Sequence, residues 1–133
     1  MELILEPSNK HSIQSYQDDC IQIASVIYSK SLIVTPQEIF LDWNIKKLSE
    51  LQESDLEQLM RSQPKIILIA YPLSQQAFIP YQLIPLCGMR GVGLEFMPIG
   101  AACRTFNVLL NEEREIAFGF IPESMSSNET NRE

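Results

Sequence analysis

Cysteine is scarce in this chain: Cys20, Cys87 and Cys103 are the only three, an odd number with no C-x-x-C pair. That number and spacing fit a reducing compartment better than a disulfide framework. Histidine is scarcer still. His11 stands alone in an expected loop, so no cysteine–histidine pair is indicated. Lysine and arginine total ten against seventeen acidic residues, leaving a net charge of −7 with the basic residues scattered. Nucleic acid and anionic membrane are thereby excluded as main partners, because phosphate binding needs clustered Lys and Arg. No apolar run reaches the roughly 18–20 residues that span a bilayer. The opening MELILEPSNK lacks the basic-then-apolar pattern of a secretory signal. Serine-hydrolase, phosphate-loop and metal-binding motifs are missing, so no catalytic residue, metal or cofactor is expected. The expected location is cytoplasmic.

What is present is enough apolar material for one core: 133 residues, 45% hydrophobic. Residues 1–121 are expected to form a single α/β domain, and residues 122–133, rich in Ser, Asn, Glu and Thr, a disordered acidic and polar tail. Short β-type runs at residues 3–5, 13–16, 20–23, 26–28 and 31–34 predict a small antiparallel layer of hairpins. Ser54-Asp55-Leu56-Glu57 reads as a capping box opening a helix that ends near Ser62, before Pro64. Residues 65–70 (KIILIA) form a continuous apolar run, the pattern of a strand covered on both faces. A short helix at 82–88, a strand at 93–97, a helix at 101–112 and a strand at 115–121 complete the alternation. The fold class is α/β, with a central mixed sheet flanked by helices and a small additional β layer.

At 100° per residue, Ala102, Cys103, Phe106, Leu109 and Leu110 share the inward face of the 101–112 helix. Arg104, Asn107, Val108 and Asn111 share the opposite face, where Val108 hints at a contact surface. Gly100 precedes the helix, so the free amides of its first turn, with Arg104 one turn in, are a candidate anion site. Cys103 lies where a helix N-terminus lowers a thiol pKa, yet its place on the apolar face favours a structural role. Glu95, between Leu94 and Phe96, is expected to be a buried charge needing a partner, with Arg104 and Arg114 nearest in sequence. Arg114 at the helix-to-strand corner is expected to bond helix-terminal carbonyls. Gly119, between two phenylalanines, is expected to permit close approach of a helix.

The run Gly91-Val92-Gly93-Leu94-Glu95-Phe96-Met97, followed by Ala101-Ala102-Cys103-Arg104-Thr105-Phe106-Asn107-Val108-Leu109-Leu110, Glu112 and Arg114, resembles the signature of the Mth-like domain family. The biochemical activity of that family is unknown. Its eukaryotic members include a mitochondrial complex I assembly factor and a cytosolic adipogenesis-associated protein. The resemblance runs more weakly over residues 13–121 and implies a three-layer α/β fold and a non-catalytic assembly or interaction role. Two departures bear on ligands. Ala70-Tyr71-Pro72 stands where the family usually carries a glycine-rich turn, and Pro98-Ile99 where it often has an acidic residue and threonine.

Two functions remain open. The first is an interaction or assembly module whose partner is another protein, using Tyr71, Pro72, Pro98, Gly100 and the Arg104, Asn107 and Val108 face; a homo-oligomer is compatible with it. The second is a binder, or enzyme, for a small anionic ligand at the helix start, with Arg104 orienting the anion and Glu95 as base.

Overall fold

The computed structural model describes residues 10–123, so the strand expected at residues 3–5 and the tail beyond residue 123 lie outside the described residues. Three short strands come first: β1 (Ile13–Gln17), β2 (Cys20–Ile23) and β3 (Val26–Tyr28), an antiparallel meander. The β2–β3 turn places Ala24 and Ser25 at φ 51° and 70°, the left-handed pair that a two-residue hairpin of the right twist demands. Ile21 and Ile23 are buried from one face of this sheet. On the other face Ser15 Oγ donates to Gln22 Oε1 at 3.0 Å.

Among the described residues the central sheet has five strands: β4 (Leu32–Val34), β5 (Ile39–Phe40), β6 (Ile66–Tyr71), β7 (Gly93–Pro98) and β8 (Ile116–Phe120). Their order is β5-β4-β8-β6-β7. β4 runs antiparallel to both β5 and β8, and β6 runs parallel to both β7 and β8. The sheet is therefore mixed, as expected. β4 was expected in the hairpin layer, but it sits inside the central sheet. Its Leu32, Ile33 and Val34 are all buried, the pattern of a strand covered on both faces.

Alternation along the strands splits the core in two. Ile33, Ile67, Ile69, Tyr71, Leu94 and Ala117 face a layer made by Trp43, a 3-10 turn (Leu48–Glu50), α1 (Glu53–Met60) and α2 (Leu83–Gly88). Leu32, Val34, Leu68, Ala70, Phe118 and Phe120 face α3 (Ile99–Asn111), with Ile13, Ile21 and Ile23 of the small sheet in the same cluster. Phe106 of α3 stacks on Phe118 with ring centroids 4.9 Å apart.

Several boundaries moved for local reasons. The expected Ser54 and Glu57 capping box is replaced by one two residues earlier: the Gln52 amide donates to Asp55 Oδ2 at 2.8 Å. Glu57 is thereby left to accept from Arg90 Nη1 at 2.7 Å. α3 begins at Ile99, directly after Pro98. Its end is closed by the backbone of Arg114, not its guanidinium: the Arg114 amide bonds Leu109 O at 3.0 Å and the Glu113 amide bonds Leu110 O at 2.9 Å. This six-to-one closure puts Glu113 at φ 59°. Gly119 does serve close packing, but against the indole of Trp43 rather than a helix.

Candidate functional site

In a parallel sheet the natural ligand crevice lies beyond the strand ends where successive connections leave on opposite faces. Here that point lies between β6 and β7, with Tyr71 paired to Pro98 in register. After β6 the chain turns toward the Trp43 side as a 3-10 segment (Leu73–Phe78), where Gln75 Oε1 accepts from the Leu48 amide at 2.6 Å. After β7 it turns to the other face as α3. The residues singled out from sequence (Tyr71, Pro72, Pro98, Ile99, Gly100) therefore do meet at the switch point.

They fill it. Tyr71 is 3% exposed and Ile99 is 2% exposed, and Pro72 is buried too, so these three of the expected exposed edge are core, while Pro98 and Gly100 are half-buried. Burial, with Tyr81 adding to it, pushes the Tyr71 phenol above its ordinary pKa, so it remains a neutral hydroxyl. Tyr16 of β1 lies over the helix start: a Cβ on Gly100 would sit 3.1 Å from Tyr16 Cε1. Arg104 reaches back over the same turn and its Nη1 donates to Tyr16 Oη at 2.7 Å. The rim is tied as well, since the Glu123 amide bonds Asp18 O at 2.7 Å and Ser74 Oγ donates to Glu123 Oε1 at 2.8 Å.

The polar face of α3 is likewise in use within the chain. Asn107 clamps β1 through both ends of its amide, accepting from the Ile13 N–H at 2.8 Å and donating to Ile13 O at 2.9 Å. Arg104 and Asn107 therefore hold the small sheet. Val108 remains exposed beside them.

The chemistry-bearing candidates separate rather than converge. Glu95 is exposed, correcting its expected burial: it faces the α3 side of β7, an edge strand, opposite Leu68. Arg114 is exposed too and pairs with Glu112 at 3.6 Å. It lines an open cavity of about 380 Å³ with Glu113, Glu115, Gln37 and Ser62, near the start of β8. Cys103 is buried, and burial pushes its thiol up to about 12 against a weaker opposing pull from Arg104. Such a thiol is protonated at neutral pH and is no nucleophile. His11 is buried and its Nδ1 donates to Thr35 O at 2.7 Å, tying the N-terminal segment to the end of β4. Among the described residues no cluster of three or more His, Cys, Asp or Glu is placed to hold a metal. Among them, too, no helix is long and apolar enough to cross a membrane.

One surface feature escaped the reading of the sequence. From Ile66 to Met89 the chain carries no charged side chain, although a fifth of all residues are charged. The inner part of that run is β6. The outer part returns as the 3-10 segment and α2. α2 buries Leu83 and Cys87 on one side. Its other side presents Tyr81, Ile84, Pro85, Gly88 and Met89, all exposed and spaced at i, i+3, i+4, i+7 and i+8. Tyr81 is 65% and Met89 82% exposed, and Phe78 and Leu73 are exposed just upstream. A helix apolar all round is normally buried. The signal was available: a charge-free run too long for one strand, with aromatics recurring at helical spacing.

The family described as proteins of unknown function (DUF498/DUF598) matches residues 13–121. The chain belongs to that family. Among curated proteins it is 28% identical over 92 residues to a "13 kDa major membrane protein" of Francisella tularensis subsp. holarctica (strain LVS), covering 68% of this chain and 73% of that one. Among solved structures it is similar to a Xanthomonas campestris protein determined by NMR, at 27% identity and TM-score 0.75, with 85% of each chain covered. It has the same fold as a Mth938-like domain from Bordetella pertussis, at 24% identity and TM-score 0.75, with 96% of this chain and 98% of that one covered. An outer membrane protein from Bartonella henselae shares the fold at TM-score 0.70 and 24% identity, covering 88% of this chain and 98% of that one.

Proposed function

We propose that this member of the family is a non-catalytic protein-interaction or assembly module of the cytoplasm, working through the outer face of α2 and the adjoining 73–78 segment. One observation carries the reading: the exposed side chains of that face carry no charge and are mostly apolar or aromatic, with Ser74, Gln76 and Gln82 as its polar members. Such composition, rich in Tyr, Phe and Met and poor in Lys, Glu and Asp, is that of interface cores. The filled switch point supports the non-catalytic half, since it leaves no converging polar groups around a reacting atom.

The test is affinity purification of the tagged chain from its host cells, comparing wild type with Ile84→Glu and with Arg104→Glu. A stoichiometric partner lost with Ile84→Glu and kept with Arg104→Glu supports the reading. A partner indifferent to Ile84→Glu would place contact elsewhere and sink it, and fractionation into the membrane pellet would refute the cytoplasmic location. The anion reading keeps one observation in its favour, the Arg104 guanidinium folded over the first turn of α3. Thermal-shift screening with anionic metabolites tests it, and no stabilisation across the set would end it.

A further inference from the structure

Resting on that reading, we infer that the partner of the α2 face is a second copy of this chain, giving a two-fold dimer. The charge distribution carries the inference. With a net charge of −7, two copies repel across most orientations. A two-fold contact brings a patch against itself, so any charge near its centre meets its own kind. The face built from Tyr81, Ile84, Pro85, Gly88 and Met89 has no charge to meet. Nearby surfaces lack that property. The outer side of β7, unpaired among the described residues, carries Glu95, which an antiparallel pairing centred on it would set against the same carboxylate of the second copy.

The helical stripe also sets the geometry. Antiparallel packing of two α2 helices about an axis at Pro85 brings Tyr81 of one copy against Met89 of the partner subunit, and the reverse. A thioether at an aromatic ring is a favourable contact. Gly88 helps the approach, since a Cβ there would meet nothing of its own chain within 4 Å. The exposed parts of Tyr81, Ile84 and Met89 offer on the order of 300 Å² of apolar surface per copy, with exposed Leu73 and Phe78 upstream in the chain, against about 800 Å² in total for each side of a specific interface. Gln76 and Gln82, exposed beside them and neutral, supply a polar rim. A bilayer is the poorer occupant. The stripe has no lysine, and the nearest arginine, Arg90, is held by Glu57, so electrostatic anchoring to headgroups is lacking.

The experiment is sedimentation velocity of the full chain from low micromolar to near-millimolar concentration. Wild type is expected to rise from monomer to twice the monomer mass. Tyr81→Lys and Met89→Glu, each alone, should weaken the dimer about tenfold or more while leaving unchanged the circular dichroism and the Tm measured at concentrations where wild type is monomeric. Combined in one chain, they should regain affinity, because each lysine then faces a glutamate of the partner subunit. Wild type that stays monomeric throughout, or a dimer indifferent to both single variants, overturns the inference. A monomer that captures a different protein through α2 overturns the dimer while the interaction reading survives, whereas one that binds lipid vesicles through α2 overturns both the dimer and the protein-interaction reading. A monomer that binds nothing through α2 overturns both.

Discussion

Gly119→Ala adds one methyl group at the most confined point of the sheet. A Cβ there would lie 2.7 Å from Cη2 and 3.0 Å from Cζ3 of Trp43, and 3.0 Å from Cδ1 of Ile69. The indole cannot retreat freely. It is 1% exposed, its Nε1 donates to Asp55 O at 3.1 Å, and its own carbonyl accepts from Ser31 Oγ. Overpacking of this kind costs about 1–3 kcal/mol. Sliding the ring far enough to lose the Nε1 bond adds about 1 kcal/mol. Alanine returns roughly 0.5–1 kcal/mol, because glycine loses more freedom on folding. The expected net is a loss of about 2 kcal/mol, or about 8 °C in Tm for a domain of this size. Trp43 is the only tryptophan, so its fluorescence in a urea titration reports the transition directly. The cause is checked by a double-mutant cycle with Trp43→Phe, followed by circular dichroism, since phenylalanine lacks both atoms that clash. The alanine should cost at least about 1 kcal/mol less in that background. A single variant within about 0.5 kcal/mol of wild type, or an additive cycle, would refute the packing account.

Phe106→Ala should cost about 3–5 kcal/mol by chemical denaturation, since the ring is fully buried against Phe118, and a loss under about 1 kcal/mol would contradict the placement of α3. Asn107→Ala should cost about 2–3 kcal/mol by leaving the Ile13 N–H and C=O unpaired. Hydrogen exchange should then speed up selectively in the small sheet; uniform acceleration would count against a local clamp. Above pH 9 an unfolded Cys103 thiol ionises while the folded one, pushed up to about 12, stays protonated. The unfolded state then binds fewer protons, so stability falls as pH rises from 9 to 12, by up to roughly 1.4 kcal/mol per pH unit from this group. Cys103→Ala should make the fall of Tm over that range shallower, and an unchanged slope would remove the thiol from the account.

The elements that sequence revealed best are those whose determinants are local. The apolar run before Tyr71, the strand from Gly93 and the inward stripe of α3 are set by side-chain period and burial, and each lies within two residues of its expected place. The central sheet with its small extra layer followed from the same alternation. The errors share a different cause. The α1 cap slid because Asp55 offers the same carboxylate chemistry two residues earlier than Glu57. β4 was misplaced because its partner, β8, is remote in the chain, and nothing in Leu32–Val34 names it. Glu95 looked buried because Leu94 and Phe96 flank it, yet only the strand order reveals that β7 is an edge.

The candidate site was harder to read for a reason that the two exposed helix faces make concrete. The polar face of α3 looked free because sequence displays a helix in isolation. In the fold, Tyr16 and Ile13, some ninety residues earlier, satisfy Arg104 and Asn107 through three hydrogen bonds. Polar side chains of that sort are easily claimed by a distant backbone, so their apparent freedom says little about partners. An uncharged apolar stripe is different. Leaving Tyr81, Ile84 and Met89 in water forgoes burial free energy at about 25 cal/mol per Å². The described residues offer no segment that covers them. Charge at Met89, which is 82% exposed, would cost the monomer little. On the proposed reading, the absence of charge along the outer run reflects what the face would meet rather than how the chain folds.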